Sequence, residues 1–472
     1  MNDFARRALD VQNRTRDEIP AGRDEEERLA DRGQSLRRAD RAVVVELEAT
    51  GDRAANRDVT GEPLTAPPVA HPHTNVAAHV VLAIASNENS VNSAFFAQIT
   101  HLILLGRYDR GVGSPYMWDK VGPKNRRGPW LLRPDNFTPG SRTPWGGRRI
   151  VERLKSDLVP GHNGPVGEAW ELSVEPDFPS QLLDGPLLDE VLRADPTLLG
   201  REAPLGSTGL LVKLVDAADE LSLQIHPSDD DPALEPGQSG KPEAWYIVDA
   251  DPGAGLYLGF KKGVTRQDVE LAIANEARLD ELMAFVEVSP GDIFVIEPGT
   301  PHAIGRGVLL LEPQQVTPGK RGVTYRYWDW NRRYDAAGQP DESGEPRPLH
   351  VERALEVTDW GGPRERELID RIRYPGGPAA SQDSATLETL TSPSGPLHSD
   401  RFILRRLAGS GQVEVPAEDR LRALTVIEGV VRIIGEHGAL DVKRGQTAAL
   451  PASLEPLRAE LERAHAMLCA LA

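Results

Sequence analysis

Cysteine is almost missing from this chain of 472 residues. The only one, Cys469, can form no internal disulfide and offers no thiolate cluster, so any bound metal must be held by nitrogen and oxygen. Aromatic residues are sparse too, at 5%. Positive charge is in deficit: 54 Lys and Arg stand against 72 Asp and Glu, a formal net charge of -18. That balance argues against sequence-independent attraction to nucleic acid or anionic membranes, while leaving room for a local basic pocket that takes a phosphate. Long hydrophobic runs are absent as well. Val80–Ala85 and Ile99–Leu105 are short and separated by the polar Ser86–Ser93, and neither is long enough to span a bilayer. The first residues carry Arg6, Arg7 and Arg14 among acids and lack the apolar core of a signal peptide. These features lead to the expectation of a cytoplasmic protein, monomer or homodimer, without nucleic-acid or membrane partners.

The length allows two or three domains and a sizeable core. A hydrophobic content of 39% with 44 Gly and 39 Pro favours strands and turns over a helical bundle. Residues 1–60 are dense in Arg, Asp and Glu and read as a solvated helix or as disordered chain. Thr65–Pro72, with Pro67, Pro68 and Pro72, reads as a linker, and Asn75–Arg107 has enough apolar residues for one or two packed helices. His71 and His73 sit two apart in the linker with no carboxylate or thiol nearby, so a solvated linker is favoured over a metal pair. Residues 1–125 are therefore taken as a partly helical or disordered N-terminal extension without an assigned function.

From about Pro129 the texture changes. Short apolar runs, Leu210–Val215, Leu221–Ile225, Ala244–Val248, Asp292–Ile296 and Val308–Leu311, are bounded by Gly, Pro and Asp, the pattern of a β sandwich or barrel. A helical interlude is expected over Thr265–Val286, opening on Thr265-Arg-Gln-Asp268, a capping box with Asp in place of Glu. A weak internal echo points to two barrels: Pro290-Gly-Asp-Ile-Phe-Val-Ile-Glu-Pro298 in the first and Arg444-Gly-Gln-Thr-Ala-Ala-Leu-Pro451 in the second. Upstream of the latter, Leu424–Ile433 reads as two strands around a Glu-Gly turn. The first copy continues to His302, whereas the second continues through Ala452-Ser-Leu-Glu455 without a histidine.

Three segments of the first barrel gather nitrogen and oxygen ligands. In Leu221-Ser-Leu-Gln-Ile-His-Pro227, Gln224 and His226 are two apart on a strand and share a face. In Gly240-Lys-Pro-Glu-Ala-Trp-Tyr-Ile247, Lys241 and Glu243 share a face for the same reason. In Glu297-Pro-Gly-Thr-Pro-His-Ala-Ile-Gly305, His302 follows a tight turn from which it can project into a barrel mouth. Two imidazoles, a carboxylate and an amide oxygen suit Zn²⁺ or another first-row divalent ion.

These segments, in this order, resemble those of the type I mannose-6-phosphate isomerases. The resemblance opens with Asn136-Phe-Thr-Pro-Gly-Ser-Arg-Thr-Pro-Trp-Gly-Gly147 and Gly167-Glu-Ala-Trp-Glu-Leu-Ser173, and closes with Thr324-Tyr-Arg-Tyr-Trp-Asp-Trp-Asn-Arg332 and Pro348-Leu-His350. It runs over roughly residues 130–472, about three quarters of the chain. It implies a mainly β fold of two cupin (jelly-roll) barrels with a helical insertion: a metal-binding catalytic domain at 126–375 and a barrel without ligands at 376–472. It implies one zinc ion held by Gln224, His226, Glu243 and His302, and a sugar phosphate as partner. It further implies Arg326, Lys241 and Glu312 as catalytic residues, with Ser222, Lys241 and Arg326 contacting substrate. One departure stands out: where many relatives have Ser-Asp before the Thr-Tyr-Arg element, this chain has Arg321-Gly322.

The implied reaction interconverts mannose 6-phosphate and fructose 6-phosphate by proton transfer through an enediol, with zinc as Lewis acid and Arg326 and Lys241 supplying positive charge. Lys241, Glu312 and a metal-bound water are the candidate bases. Two alternatives stay open, an isomerase of another sugar phosphate and a non-catalytic metal-binding cupin that senses a sugar.

Overall fold

The structure, a computed structural model, describes residues 128–472 apart from 184, 337, 377–383, 437 and 454. The expected N-terminal extension, with its His71–His73 pair, lies outside the described residues. Among the described residues no helix is long and apolar enough to cross a membrane.

The run Leu210–Ala217 forms a strand that is buried along its whole length. Successive side chains on a strand point to opposite faces, so burial of all eight means that the sheet is covered on both sides. Val215 and Ala217 pack into the first barrel against Trp245, Leu256, Leu258 and Phe294. Leu210, Val212 and Leu214 pack the other way, against Phe402, Leu404 and Met467 of the second barrel. This strand belongs to a six-stranded sheet in the order Arg373–Tyr374, Ile293–Ile296, Glu243–Ala250, Val308–Gln315, Leu210–Ala217, Glu168–Leu172. Facing it is a five-stranded sheet, Tyr325–Trp328, Leu223–Ile225, His302–Ile304, Gly255–Phe260, Met283–Glu287. All pairings in both are antiparallel. Two antiparallel sheets closed over an apolar filling make the expected jelly-roll barrel.

The helical interlude is shorter than its expected span. Thr265 does cap a helix: its hydroxyl accepts from the Asp268 N–H at 3.3 Å, and its own N–H donates to the Asp268 carboxylate at 2.8 Å. The helix ends at Ala274, however. Residues Leu279–Leu282 form a single 3₁₀ turn, and Met283–Glu287 is an edge strand with alternating burial. Val286 and Phe285 fit that half-covered pleat better than a helix surface.

The second barrel is an eight-stranded sheet dominated by three long strands, Phe402–Val415, Arg422–Gly435 and Leu457–Leu471. Here the expected Glu-Gly turn is a bend instead. Arg422–Gly435 is one continuous strand whose register slips on either side of Glu428, and Gly429 adopts φ 71°. A Cβ at 429 would collide with the Arg463 carbonyl, so the strand can fold back over the barrel only through glycine. Its first half pairs with Thr447–Leu450 and its second half with Gly438–Lys443. The internal echo is present in three dimensions: Gly291 and Gly445 both have positive φ, at 95° and 77°, and each leads into a fully buried four-residue strand.

Candidate metal centre and active site

Strand register brings the polar residues together. In the five-stranded sheet Gln224 stands opposite His302 on one side and Arg326 on the other. In the six-stranded sheet Glu243 stands opposite Gln314, and Lys213 opposite Glu312. His226 follows directly on the strand Leu223–Ile225. Both sheets thus present their polar positions at one end of the barrel, with the apolar filling beyond.

The two histidines share one arrangement. A carbonyl can only accept a hydrogen bond, so His226 donates through Nδ1 to the Val323 oxygen at 2.9 Å, and His302 through Nδ1 to the Thr300 oxygen at 2.9 Å. Each ring is thereby held in the tautomer with a lone pair on Nε2. Those lone pairs face Glu243: His226 Nε2 lies 3.2 Å from Oε1 and His302 Nε2 lies 3.7 Å from Oε2. Burial lowers the affinity of both imidazoles for a proton, pushing His302 down to about 3. Burial would raise the Glu243 carboxyl, but the Lys241 ammonium beside it holds it well below the usual carboxylate range. Gln314 Nε2 donates to Oε1 at 2.5 Å and the Lys241 ammonium lies 3.0 Å from the same oxygen.

Two buried atoms of this cluster, His226 Nε2 and Glu243 Oε2, have no hydrogen-bond partner. An orphaned buried polar atom costs about 1–3 kcal/mol, and here the His226 lone pair and a carboxylate oxygen converge with no proton to share, beside a His302 lone pair met only by the Gln224 amide nitrogen at 3.4 Å. A cation relieves all three at once. Ligand atoms of His226, Glu243 and His302 lie within 4.8 Å of one another, so the set can hold a metal ion; Gln224 stands beside them, its amide nitrogen 3.4 Å from His302 Nε2, and a half-turn of that amide would present its oxygen instead. The edge of Trp245 packs on His302, with ring centroids 5.3 Å apart.

Beside the cluster opens a cavity of about 710 Å³ lined by Lys213, Lys241, Gln314, Arg326 and His350, and by residues of the 318–322 segment. In a chain of net charge -18 this lining is cationic: Arg142, Arg193, Lys213, Lys241, Lys320, Arg321 and Arg326 face Glu175, Asp177 and Asp189. The buried Nε of Arg326 has no partner. Lys213 lies 4.7 Å from the Trp170 ring and 3.5 Å from Glu312 Oε2. Burial alone would lower its ammonium, but Glu168, Glu312 and Glu243 keep it above its ordinary value and therefore charged.

The structure brings Gln224, His226, Glu243, His302 and Lys241 into one cluster and sets Arg326 on the adjoining cavity wall. Two expected residues stand elsewhere. Glu312 is buried beneath the cavity and is not among its lining residues; its carboxylate accepts from Trp245 Nε1 at 3.0 Å, and burial followed by the Glu243 charge pushes it up to about 7. Ser222, on the same strand face as Gln224, is buried and does not line the cavity either. Conversely, Lys213 and Gln314 were not foreseen. Lys213 interrupts the apolar run Leu210–Val215, and that interruption is the signal that was available; Gln314, in Glu312-Pro-Gln-Gln-Val316, carries no such signal.

No family model matches the chain. It is 31% identical over 314 residues to the probable mannose-6-phosphate isomerase GmuF of Bacillus subtilis (strain 168), which covers 65% of this chain and 90% of that protein. It is also 31% identical over 252 residues to the mannose-6-phosphate isomerase ManA of the same organism, covering 53% of this chain and 71% of that protein. In three dimensions it is similar to the crystal structure of a mannose 6-phosphate isomerase from Bacillus subtilis, with a TM-score of 0.56 at 23% identity over 72% of this chain and 99% of that one. At that identity the structural likeness speaks for the fold.

Proposed function

The chain belongs to the mannose-6-phosphate isomerase family, and from that premise we propose that it interconverts mannose 6-phosphate and fructose 6-phosphate with a zinc ion held by Gln224, His226, Glu243 and His302. The observation that carries the metal part is the convergence of two Nε2 lone pairs and an orphaned carboxylate oxygen in a buried pocket. A borderline nitrogen and oxygen set of this kind suits zinc. When bound, zinc supplies a Lewis acid beside the sugar carbonyl.

The reaction moves a proton between neighbouring carbons through an enediol whose oxygens gather negative charge. Lys241, whose ammonium contacts Glu243, and Arg326, opposite Gln224 in register, both line the cavity wall, and we assign them the stabilisation of that charge, worth several kcal/mol in a site shielded from water. Glu312 acts as a positioning residue that fixes Lys213 and Trp245, because its oxygens are committed to those two partners. Gln314 holds the Glu243 carboxylate from the other side.

The test is a coupled assay for fructose 6-phosphate formation from mannose 6-phosphate, run on metal-free and zinc-reconstituted protein. Restoration of turnover by zinc is expected. Stoichiometric zinc uptake with no turnover on any aldose phosphate would sink the enzyme reading in favour of a sugar-sensing cupin, and turnover confined to another sugar phosphate would correct the substrate.

A further inference from the structure

The cations of the cavity divide into two groups. Arg142 lies 3.7 Å from Asp177, Arg193 2.6 Å from Asp189, Lys213 3.5 Å from Glu312 and Lys241 3.0 Å from Glu243, so each already has a carboxylate. Among the described residues, Lys320, Arg321 and Arg326 have none, and their side chains make no hydrogen bond. Arg326 is opposite Gln224 in register and so belongs to the metal end of the cavity. Lys320 and Arg321 are exposed at its rim.

The segment that carries them is tied down. Arg321 and Gly322 pair in parallel with Gln238 and Ser239, the Lys320 N–H donates to the Thr317 carbonyl at 2.9 Å, and the Arg321 N–H to the Gly237 carbonyl at 2.8 Å. Gly322 is not in the left-handed region, so backbone geometry does not call for glycine there. The packing is close: a Cβ at 322 would stand 3.1 Å from Cγ and Cδ of Lys241 and 3.2 Å from Cβ, so the lysine stem would have to give by a few tenths of an ångström. The strap therefore lies flush on the stem of the lysine whose head reaches Glu243, and it carries two unpaired cations beside that stem.

We infer that Lys320 and Arg321 form the subsite for the phosphate of the substrate. This rests on the isomerase reading for the identity of the ligand. A sugar whose carbonyl end lies at Lys241 and Arg326 carries its phosphate at the far end of the carbon chain, toward the rim. A guanidinium fork and an ammonium without internal partners suit a phosphate dianion, and they offset locally the repulsion that an acidic chain exerts on anions.

The experiment uses the full-length, zinc-loaded chain. Substitutions Lys320→Ala and Arg321→Ala are each expected to raise KM for mannose 6-phosphate, and the inhibition constant for inorganic phosphate, by roughly tenfold, with the double variant weaker still and kcat falling much less. Arg321→Lys should recover most of the loss. Lys262→Ala, an exposed cation outside the cavity, controls for net charge and should change neither constant. A double variant with the KM and phosphate inhibition of the unaltered chain would overturn the subsite. Calorimetric titration with inorganic phosphate separates this outcome from failure of the isomerase reading. If the unaltered chain turns over no sugar phosphate but binds phosphate at least tenfold more tightly than the double variant, the subsite stands while the reaction assignment falls; equal binding overturns the subsite.

Discussion

In the first barrel the chain turns at Gly291, runs through the buried strand Ile293–Ile296 and reaches His302; in the second it turns at Gly445, runs through the equally buried Thr447–Leu450 and reaches Ala452 and Ser453. The device is the same and the interiors differ. The second barrel is filled by Leu407, Leu424, Val426, Val431, Ile433 and Leu450, with neighbours that are likewise aliphatic. The first has an apolar filling at one end and at the other a convergent set of metal-ligating atoms, partly unsatisfied; the second also leaves Glu418 Oε2, Arg420 Nε and Arg422 Nε without a hydrogen-bond partner, but among the described residues no comparable set of metal-ligating groups converges there. A barrel of this size can be completed by side chains alone, so the polar end of the first marks where packing was given up for chemistry.

The largest expected effect breaks the contrast directly. His302→Ala removes a ligand from the cluster and should lower kcat by about a thousandfold, the scale of several kcal/mol of transition-state stabilisation, whereas Ser453→Ala in the matching turn of the second barrel should leave turnover unchanged in the same coupled assay. Next comes the converse. Leu424→Ala, at a fully buried position of the second barrel, should cost about 2–5 kcal/mol in denaturant unfolding while kcat per folded molecule stays within about twofold.

The smallest effect concerns the seam between the barrels. Tyr246 Oη and His465 Nε2 lie 2.6 Å apart, and burial pushes His465 from its ordinary 6.5 down to about 4. The folded state then binds fewer protons than the unfolded state between those values. Stability from this residue is complete above about pH 6.5 and is lost as pH falls toward about 4, on the order of 2–3 kcal/mol. His465→Phe should flatten that part of the stability profile measured by urea unfolding at pH 4.5 and 7.

Much of the first barrel was legible because its signals are local. Alternation placed Gln224 with His226 and Lys241 with Glu243, and the structure keeps both pairs in one cluster. The helix over Arg266–Ala274 was legible at its start, where Thr265 and Asp268 cap each other, and misread at its end. Nothing within the segment says that Met283–Glu287 will find the strand Gly255–Phe260 as a partner. Likewise Glu428-Gly429 looks like a hairpin turn until the strand Leu457–Leu471 is seen running alongside both halves of the same strand, Ala466 opposite Val426 and Leu461 opposite Val431. Glu312 was recognised as chemically capable, yet its carboxylate faces Trp245 and Lys213 and not the cavity.

By itself the sequence determined the kinds of atom available, nitrogen and oxygen without thiolate, and which of them share a strand face, since alternation is a property of each backbone segment alone. Only the tertiary structure decided that Gln224 and His302, 78 residues apart, would stand side by side, that Glu243 would be held by Gln314, and that Lys320 and Arg321 would be left unpaired at the cavity rim. Register between distant strands is set by the burial of whole sheets against one another, and that sum is not written in any one segment.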